Sequence, residues 1–459
     1  MSERGPDLVV AGAGGGLVAA LRAAQHGLDV LVVEASEHFR RGNNTSMSTA
    51  MVPGAGSRWQ REAGIEDSPA LFAEDVRAKT KGQGDERLAR ALGSVSAGLV
   101  EWMADHLGMP LSLVTDFHYP GHSVDRCHTI PGRHGTGLID HLLSAVRAED
   151  RVEMLVPARL SGIRSATDGH VEAAVVTYPD GSAEDIPANA LLLATNGYGA
   201  DRDLVAEHLP EIATAVYHGS ETSRGDALRI GAGMGAATAF LDAYQGHGAL
   251  AHRAATLVGW ATIMHGAVML DLTGHRFGDE TTGYSEYAAA LAARPESTGW
   301  IVLDQRIHDL CLPFTDFRQT VESGVLVWAD DLASLAGAMG LPPAAAGELA
   351  EVERVARGEA TDPFGRTFFE APLAPPYAAV RVVPALFHTQ GGLVVDEHAR
   401  VLRDDGAEIP GLYASGGAAA GISGHGAAGY LAGNGLLPAL GLAYLAADHL
   451  AHHIGRETR

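Results

Sequence analysis

The chain has little cysteine and comparatively few basic residues for its 459 positions. Its two cysteines, Cys127 and Cys311, cannot build a disulfide framework. There are 33 lysines and arginines against 56 aspartates and glutamates, and the net charge of −23 argues against a nucleic-acid surface, which requires basic patches. The start Met-Ser-Glu-Arg-Gly-Pro lacks the apolar segment of a signal peptide, so we expect a cytoplasmic protein.

Long apolar runs are also missing. The longest candidate, Leu436 to Leu450, is interrupted by Pro438 and Asp448 and falls short of the roughly 18 apolar residues that a membrane span needs. We therefore predict a buried helix there and no membrane span. Hydrophobic residues nevertheless make up 46% of the chain, which is typical of a globular protein, and the length is sufficient for two domains.

The first forty residues contain the most informative local pattern. An apolar run at 8–11 leads into Gly12, Gly14 and Gly16; a small-residue helix follows, and a second apolar run ends at Glu34. This order predicts a βαβ unit whose helix N-terminus binds a pyrophosphate and whose carboxylate accepts hydrogen bonds from a ribose. In the standard dinucleotide-binding motif Gly-x-Gly-x-x-Gly, the third small residue would fall at Leu17, so Gly16 comes one residue early. We predict a dinucleotide site with irregular spacing.

The rest of the chain alternates helical and extended patterns. Residues 66–108 and 134–147 have helical spacing, whereas 153–194 read as short strands with a hairpin at 179–181. The apolar segment 190–195 predicts a return to a parallel sheet near the dinucleotide. From about 236 to 376 the pattern is helical and alanine-rich, which indicates a separate domain. Strand patterns then resume at 377–386 and 392–402.

Several motifs follow one another in an order found in one group of flavoenzymes. They are Arg41-Gly-Asn-Asn44-Thr, Ser123-Val-Asp-Arg126-Cys-His128, Ala194-Thr-Asn-Gly-Tyr-Gly199, His388-Thr-Gln-Gly-Gly392 and Gly433-Asn-Gly-Leu436. Over essentially its whole length the chain resembles the FAD-dependent oxidoreductase family of fumarate reductase, tricarballylate dehydrogenase and 3-ketosteroid dehydrogenase. Its catalytic positions resemble those of the ketosteroid dehydrogenase branch.

The resemblance implies an α/β fold. A discontinuous Rossmann-like FAD-binding domain, residues 1–235 and 377–459, would carry an inserted α+β capping domain, residues 236–376. FAD would be non-covalent, because no histidine occupies positions 42–46. The final helix would direct its positive N-terminus at the flavin, and Gly417 stands where the family often has a glutamate. The residues expected to bind FAD are Gly12, Gly14, Gly16, Glu34, Arg41, Gly42, Asn44, Thr45, Ala194, Thr195, Asn196, Gly197, Gly416, Gly433, Asn434, Gly435 and Leu436.

The catalytic expectations come from two departures from the fumarate reductase pattern. Gly283 stands where those enzymes have a proton-donating arginine, and Tyr430 stands where they have an arginine that clamps a substrate carboxylate. In the ketosteroid branch, tyrosines occupy the positions of Tyr284 and Tyr430. The resemblance then implies that Tyr284 is the general base and that Tyr430, with an amide near Gly433, stabilises an enolate oxygen. Tyr119 would assist.

Three hypotheses about the function remain open. The first is ketone desaturation or enone reduction at a carbon–carbon bond next to a carbonyl, with Arg126 or a histidine lowering the pKa of the tyrosine base. The second is action on a small carboxylic acid through His247 and His388, which match carboxylate-binding positions of the fumarate-type branch, together with Arg126, Arg253 or Arg381. The third is a protein in which FAD is only structural.

The expected partners are a small-molecule ketone, enone or carboxylate and an external electron acceptor or donor. The sequence has no dedicated NAD site and no haem or iron–sulfur motif, and no metal is expected.

Overall fold

The computed structural model describes residues 5–116 and 118–457. The first four residues, which form most of the start that lacks a signal-peptide pattern, and Phe117 lie outside the described residues. The strands in chain order are β1 (Leu8–Ala11), β2 (Val30–Val33), β3 (Val52–Pro53), β4 (Ser112–Leu113), β5 (Cys127–Thr129), β6 (Val152–Leu155), β7 (Arg159–Ser165), β8 (Val171–Thr177), β9 (Ala183–Pro187), β10 (Leu191–Leu193), β11 (Val216–Tyr217), β12 (Thr238–Ala239), β13 (Tyr244–Ala251), β14 (Val268–Asp271), β15 (Gly299–Asp304), β16 (Val327–Ala329), β17 (Tyr377–Thr389), β18 (Gly392–Leu393), β19 (Arg400–Leu402) and β20 (Glu408–Ala414).

Helices connect most of these strands, and three short 3₁₀ helices occur at Glu280–Thr282, Pro295–Ser297 and Gly416–Ala418. The α-helices are α1 (Gly16–Gln25), α2 (Phe39–Gly42), α3 (Arg58–Glu62), α4 (Pro69–Lys79), α5 (Glu86–Leu107), α6 (Gly135–Arg147), α7 (Arg202–His208), α8 (Asp226–Gly233), α9 (Ala261–Met264), α10 (Tyr284–Ala292), α11 (Gln305–Cys311), α12 (Thr315–Glu322), α13 (Leu332–Met339), α14 (Ala344–Ala356) and α15 (Leu436–Glu457).

The chain divides into two compact units. The first comprises residues up to Leu209, Gly219–Tyr244 and the chain from His388 onward; the second comprises Pro210–His218 and Gln245–Phe387. The domain boundaries expected from composition, near 236 and 376, lie earlier in the chain. They differ because β13 and most of β17 pair within the sheet of the second unit, and composition does not reveal strand pairing.

The first unit is built on a six-stranded sheet in the order β19-β20-β10-β1-β2-β6. Its strands run parallel except for the β19 edge. The central strands are apolar and fully buried, as a sheet covered on both faces requires. The predicted βαβ opening and the return of 190–195 to the parallel sheet are therefore confirmed, since Val9 pairs with Leu191 and Val10 with Val32.

Smaller elements of the first unit also match the sequence patterns. The helical stretches 66–108 and 134–147 form α4, α5 and α6. An antiparallel β7-β8-β9 sheet contains the predicted hairpin, because Thr177 pairs with Ala183 around the turn at 179–181. The final apolar stretch forms α15, which packs against α1.

The second unit contains a sheet that the helical, alanine-rich pattern did not predict. Its path is β11-β17-β15-β14, and β13 and β16 also pair with β17. The long β17 strand organises this sheet, and its Arg381 and Val380 pair with Trp300 and Ile301 of β15. The strand pattern predicted at 377–386 forms most of β17, but β13, β14 and β15 were not predicted because almost completely buried strands lack the apolar–polar alternation of half-exposed ones. The expected α/β fold class is confirmed. The second unit contains both helices and strands, as an α+β domain does.

Candidate active site

The predicted dinucleotide turn places glycines where two strand ends approach closely. Gly12 follows β1 with φ of +110°, and a Cβ on it would lie 2.3 Å from the carbonyl oxygen of Ala194 at the end of β10. Gly14 is similarly crowded, since a Cβ there would lie 2.9 Å from Oγ1 of Thr45. Any larger residue would displace the neighbouring backbone or the turn that carries Thr45.

The irregular third glycine has a packing role. A Cβ on Gly16 would lie 2.6 Å from Cγ1 of Val10, so Gly16 allows the close contact of α1 with β1 that the third glycine of a standard fingerprint provides. Gly15 was not among the residues predicted from the sequence, yet a Cβ on it would lie 2.4 Å from the carbonyl oxygen of Ala439 in α15. The run of three consecutive glycines at 14–16 was the available signal.

The end of β2 supplies the expected carboxylate. Oε2 of Glu34 accepts a hydrogen bond from the Ala13 amide at 2.8 Å, and Oε1 accepts one from the Ser36 amide at 2.8 Å. Burial raises the pKa of Glu34, and these backbone donors oppose the shift. Gly15 is the N-cap of α1 and, having no side chain, makes no capping hydrogen bond to the first amides of the helix. Amides and carboxylate suit a pyrophosphate and a ribose.

The turn after α2 brings two further candidate residues to the same unit. Asn44 Oδ1 accepts a hydrogen bond from the Ser220 amide at 2.7 Å, and Thr45 is buried beside Gly14. Arg41 and Gly42, by contrast, are exposed. Ser220 belongs to a segment that the sequence analysis did not single out, and its link to Asn44 arises only from the fold.

Two buried hydroxyls lie at the carboxyl ends of neighbouring parallel strands. Oγ1 of Thr195, after β10, and Oγ of Ser415, after β20, are buried without a hydrogen-bond partner among the described residues. Asn196 has φ of +64° and donates through Nδ2 to Oγ of Ser223 at 2.9 Å. Its Oδ1 lies 2.4 Å from where a Cβ on Gly417 would stand, so the glutamate of the family has no room in this arrangement.

The start of α15 brings five of the predicted site residues together. A Cβ on Gly435 would lie 2.8 Å from Nε2 of His388 and 3.5 Å from the hydroxyl of Tyr430. The rings of His388 and Tyr430 meet edge to face with centroids 6.0 Å apart. Gly433 has φ of +88° and packs against Pro53, and Oδ1 of Asn434 is buried without a partner among the residues described.

The titration behaviour of this cluster favours uncharged side chains. Burial lowers the pKa of His388 to about 4, so its imidazole is neutral at pH 7. Burial also raises the pKa of the Tyr119 phenol well above its usual range, with smaller contributions that include Tyr430. Tyr119 is therefore suited to donating a hydrogen bond and poorly suited to acting as a base.

The second unit holds the remaining two predicted catalytic residues in one aromatic cluster. The ring of His247 stacks on Tyr284 with centroids 5.0 Å apart and planes 20° apart, and on Phe387 at 5.3 Å and 22°. Trp260 meets the His247 ring edge-on at 5.6 Å. Nδ1 of His247 accepts a hydrogen bond from the Ala249 amide at 3.1 Å, so the ring proton of the neutral form is on Nε2. Burial, assisted by His218, lowers the pKa of His247 to about 3.

The segment before Tyr284 is fixed in an unusual conformation. Gly283 has φ of 140° and ψ of 150°, a region that L residues rarely adopt, and Tyr284 begins α10 immediately after it. The carboxylate of Glu280, fully buried, pairs with Arg276 at 2.7 Å and Arg366 at 3.0 Å. The Glu280 carbonyl accepts from the Trp260 indole at 3.2 Å. This ion cluster, which the sequence analysis missed, holds the segment in place.

The arginines considered from sequence have other partners. Arg126 is fully buried in the first unit and pairs with Asp67 at 3.0 Å and Asp75 at 2.6 Å. The expectation that Arg126 activates a tyrosine is therefore not supported, because two carboxylates neutralise its charge. Arg381 pairs with Glu296 at 3.3 Å, and Arg253 is exposed.

The first unit has the features that an FAD site requires. The glycines at 12 and 14–16, the start of α1 and the Glu34 carboxylate suit the adenosine and pyrophosphate groups of FAD. The buried unpartnered atoms of Thr195, Ser415 and Asn434 suit the polar groups of a bound molecule.

Comparison with known proteins identifies the family. A family model described as an FAD binding domain matches residues 7–436. The chain belongs to this FAD-binding family. FAD as the cofactor and the suspected flavoprotein group are thereby confirmed. The chain is 28% identical, over 98% of its length and 76% of the relative, to a protein from Shewanella frigidimarina named as a probable fumarate reductase.

Two solved structures have the same fold. An open conformation of a flavocytochrome c3 fumarate reductase aligns with a TM-score of 0.81 and 26% identity, covering 98% of this chain and 79% of that one. A 3-ketosteroid delta1-dehydrogenase from Sterolibacterium denitrificans aligns with a TM-score of 0.78 over 98% of this chain and all of that one; at 20% identity this likeness shows the fold alone. The protein is an FAD-dependent oxidoreductase of the fumarate reductase and ketosteroid dehydrogenase group. Among the described residues, no helix is long and apolar enough to cross a membrane.

Proposed function

We propose that this protein adds or removes hydrogen across a carbon–carbon bond next to a ketone carbonyl. Bound FAD supplies the hydride donor or acceptor at its N5 atom. Tyr284 exchanges the proton at the carbon next to the carbonyl, and the Tyr430 hydroxyl, with an amide near Gly433, donates hydrogen bonds to the carbonyl oxygen while negative charge develops there. Tyr119 supports this donor function.

The observation that carries the proposal is the stacking of Tyr284 on a histidine that is neutral. Because Nδ1 of His247 is occupied by the Ala249 amide, the ring offers an Nε2–H donor without a positive charge. His388 is neutral as well and lies beside Tyr430. Phenols and neutral imidazoles match an uncharged carbonyl better than a carboxylate, which a guanidinium binds with two parallel hydrogen bonds.

The proposed chemistry can be tested by anaerobic spectroscopy of the FAD-bound protein. Saturated cyclic ketones and ketosteroids should bleach the oxidised flavin absorbance, or cyclic enones should restore it after dithionite reduction. Small carboxylic acids such as fumarate form the comparison set. A response to the acids alone would contradict the ketone assignment, and no response to either set would favour the reading in which FAD is structural.

A carboxylate substrate is the second candidate, favoured by the 28% identity to the probable fumarate reductase. It would require a cation, and Arg253 is exposed and has no carboxylate partner among the described residues. If this candidate is correct, Arg253→Gln should abolish flavin reoxidation by fumarate-like acids. The paired Arg381 offers the matched variant, Arg381→Gln, because its charge is already opposed by Glu296.

A further inference from the structure

A short chain of buried polar side chains leads from the start of α15 to the imidazole of His388. Its members are Gln390, Ser423 and Asn434, which are 4%, 1% and 1% exposed. Asn434 Nδ2 lies 3.3 Å from Oγ of Ser423, and that hydroxyl lies 2.9 Å from Oε1 of Gln390. Gln390 Nε2 in turn lies 3.1 Å from Nδ1 and 3.4 Å from Nε2 of His388. Three distant segments thus meet in one hydrogen-bonded series.

The direction of these hydrogen bonds follows from the groups themselves. An amide nitrogen can only donate, so Ser423 accepts from Asn434 and has its single hydroxyl proton left for Oε1 of Gln390. Gln390 must then present Nε2, a donor, to the imidazole. A ring nitrogen that accepts this bond needs its lone pair, which an imidazolium ion does not have.

We propose that Gln390 is a positioning residue which, oriented by Ser423 and Asn434, holds His388 as a neutral imidazole. Among the described residues, Thr389 and Tyr430 also contact the ring, and Gly435 lies beside its Nε2. The Thr389 carbonyl oxygen, 3.2 Å from Nδ1, competes with the Gln390 amide for that nitrogen because it favours a proton there, and the Tyr430 phenol meets the ring edge to face. Neither adds a negative charge at pH 7, and burial works in the same direction as the Gln390 donor.

The neutral ring has a consequence for substrate recognition, and this step rests on the proposed function. If Nδ1 accepts from the Gln390 amide, the neutral ring keeps its single proton on Nε2 and can donate one hydrogen bond without attracting an anion, so His388 would bind a carbonyl or hydroxyl oxygen of an uncharged substrate. The substitution Gln390→Glu would invert this property, because a carboxylate beside the ring stabilises the imidazolium ion. Gln390 would then be a determinant of the charge of the accepted substrate.

The test is an NMR pH titration of the FAD-bound protein without substrate, in which the His388 signals are identified by their loss in His388→Asn. In the wild type His388 should stay neutral down to about pH 5, whereas in Gln390→Glu its midpoint should rise by about one pH unit or more. Gln390→Met removes the donor without adding charge and should give a smaller upward shift. Gln305→Glu is the matched control, since Gln305 contacts His308 Nδ1 at 3.3 Å on the surface.

Several outcomes would overturn the proposal. One is a wild-type His388 that titrates near its ordinary value of about 6.5. Another is a Gln390→Glu protein that binds FAD but leaves the midpoint unchanged; if that variant does not fold, an unchanged midpoint in Gln390→Met has the same meaning. A third is a nitrogen NMR spectrum in which Nδ1 of His388 carries a proton and forms no hydrogen bond with the Gln390 amide. Gln390 would then not donate to the imidazole as proposed. Because no substrate is present, these results are independent of the ketone assignment.

Discussion

The imidazole of His247 lies flat against the phenol of Tyr284, with ring centroids 5.0 Å apart. The stack brings together a residue near the start of β13 and the first residue of α10, which are 37 positions apart in the sequence. Stacking fixes the plane of the phenol and leaves its hydroxyl at the ring edge, where a proton can be exchanged in a defined direction.

Replacing Tyr284 by phenylalanine should retain the stack and FAD while removing the proton-exchanging group. We expect flavin bleaching by the productive ketone to slow by a factor of about 10² or more. Stopped-flow absorbance under anaerobic conditions measures this directly. Tyr287→Phe is the control, because Tyr287 lies in the same helix and its hydroxyl donates to the Gly278 carbonyl at 3.3 Å. Equal slowing in both variants would argue for a structural effect.

Gly283 should resist conversion to the arginine of the fumarate-type enzymes. Its φ of 140° and ψ of 150° impose strain of about 1–3 kcal/mol on any side chain, so both Gly283→Ala and Gly283→Arg should lower the melting temperature. We expect no gain of fumarate reduction in the arginine variant. A stable Gly283→Arg protein that reduces fumarate with a reduced dye faster than the wild type does would contradict the conformational argument.

Gly15 should be intolerant of even one methyl group. Gly15→Ala would place a Cβ 2.4 Å from the Ala439 carbonyl and separate α1 from α15, with an expected loss of about 1–3 kcal/mol in unfolding free energy and weaker FAD retention. Gly98→Ala is the opposite case: Gly98 is exposed within α5 and meets nothing within 4 Å, so alanine should stabilise the helix by about 0.5–1 kcal/mol. Thermal melts and FAD release on dilution measure both.

Glu280 should be essential for the stability of the second unit. Glu280→Gln leaves the buried Arg276 and Arg366 without their shared carboxylate, and we expect a loss of about 3–5 kcal/mol in unfolding free energy. Glu296→Gln removes an exposed partner of Arg381 and should change stability by less than about 1 kcal/mol. Denaturant titrations measure both losses of unfolding free energy. Equal losses in the two variants would contradict the stabilising role assigned to Glu280.

Buried neutral histidines should make the protein less stable in acid. Burial lowers the pKa of His122 to about 4, whereas in the unfolded chain it is near 6.5. The unfolded state therefore binds more protons between these values, and unfolding free energy should fall as the pH drops from 6.5 to 4, by up to about 1.4 kcal/mol per pH unit for each such histidine. Melting temperatures across this range should fall less steeply in His122→Asn; an identical slope would contradict the assignment.

Local patterns predicted the first unit better than the second. The β1-α1-β2 opening and Glu34 could be read because their partners are close in sequence. The strand β15 could not, since its six residues are buried on both faces and its pairing with β17 joins positions about eighty residues apart. The roles of Gly15 and Ser415 depend on contacts or on buried unpartnered atoms that exist only in the folded chain, and the neutrality of His247 depends on burial.

The order of strands in the first sheet has a consequence for biosynthesis. Strand β10 pairs with β1 on one side and with β20, more than two hundred residues later, on the other. The nucleotide-binding half of the protein therefore remains an incomplete sheet with an open edge while the intervening polypeptide is translated. During that interval we expect the nascent chain to depend on chaperones to avoid aggregation, and FAD to be captured only after β20 has been made.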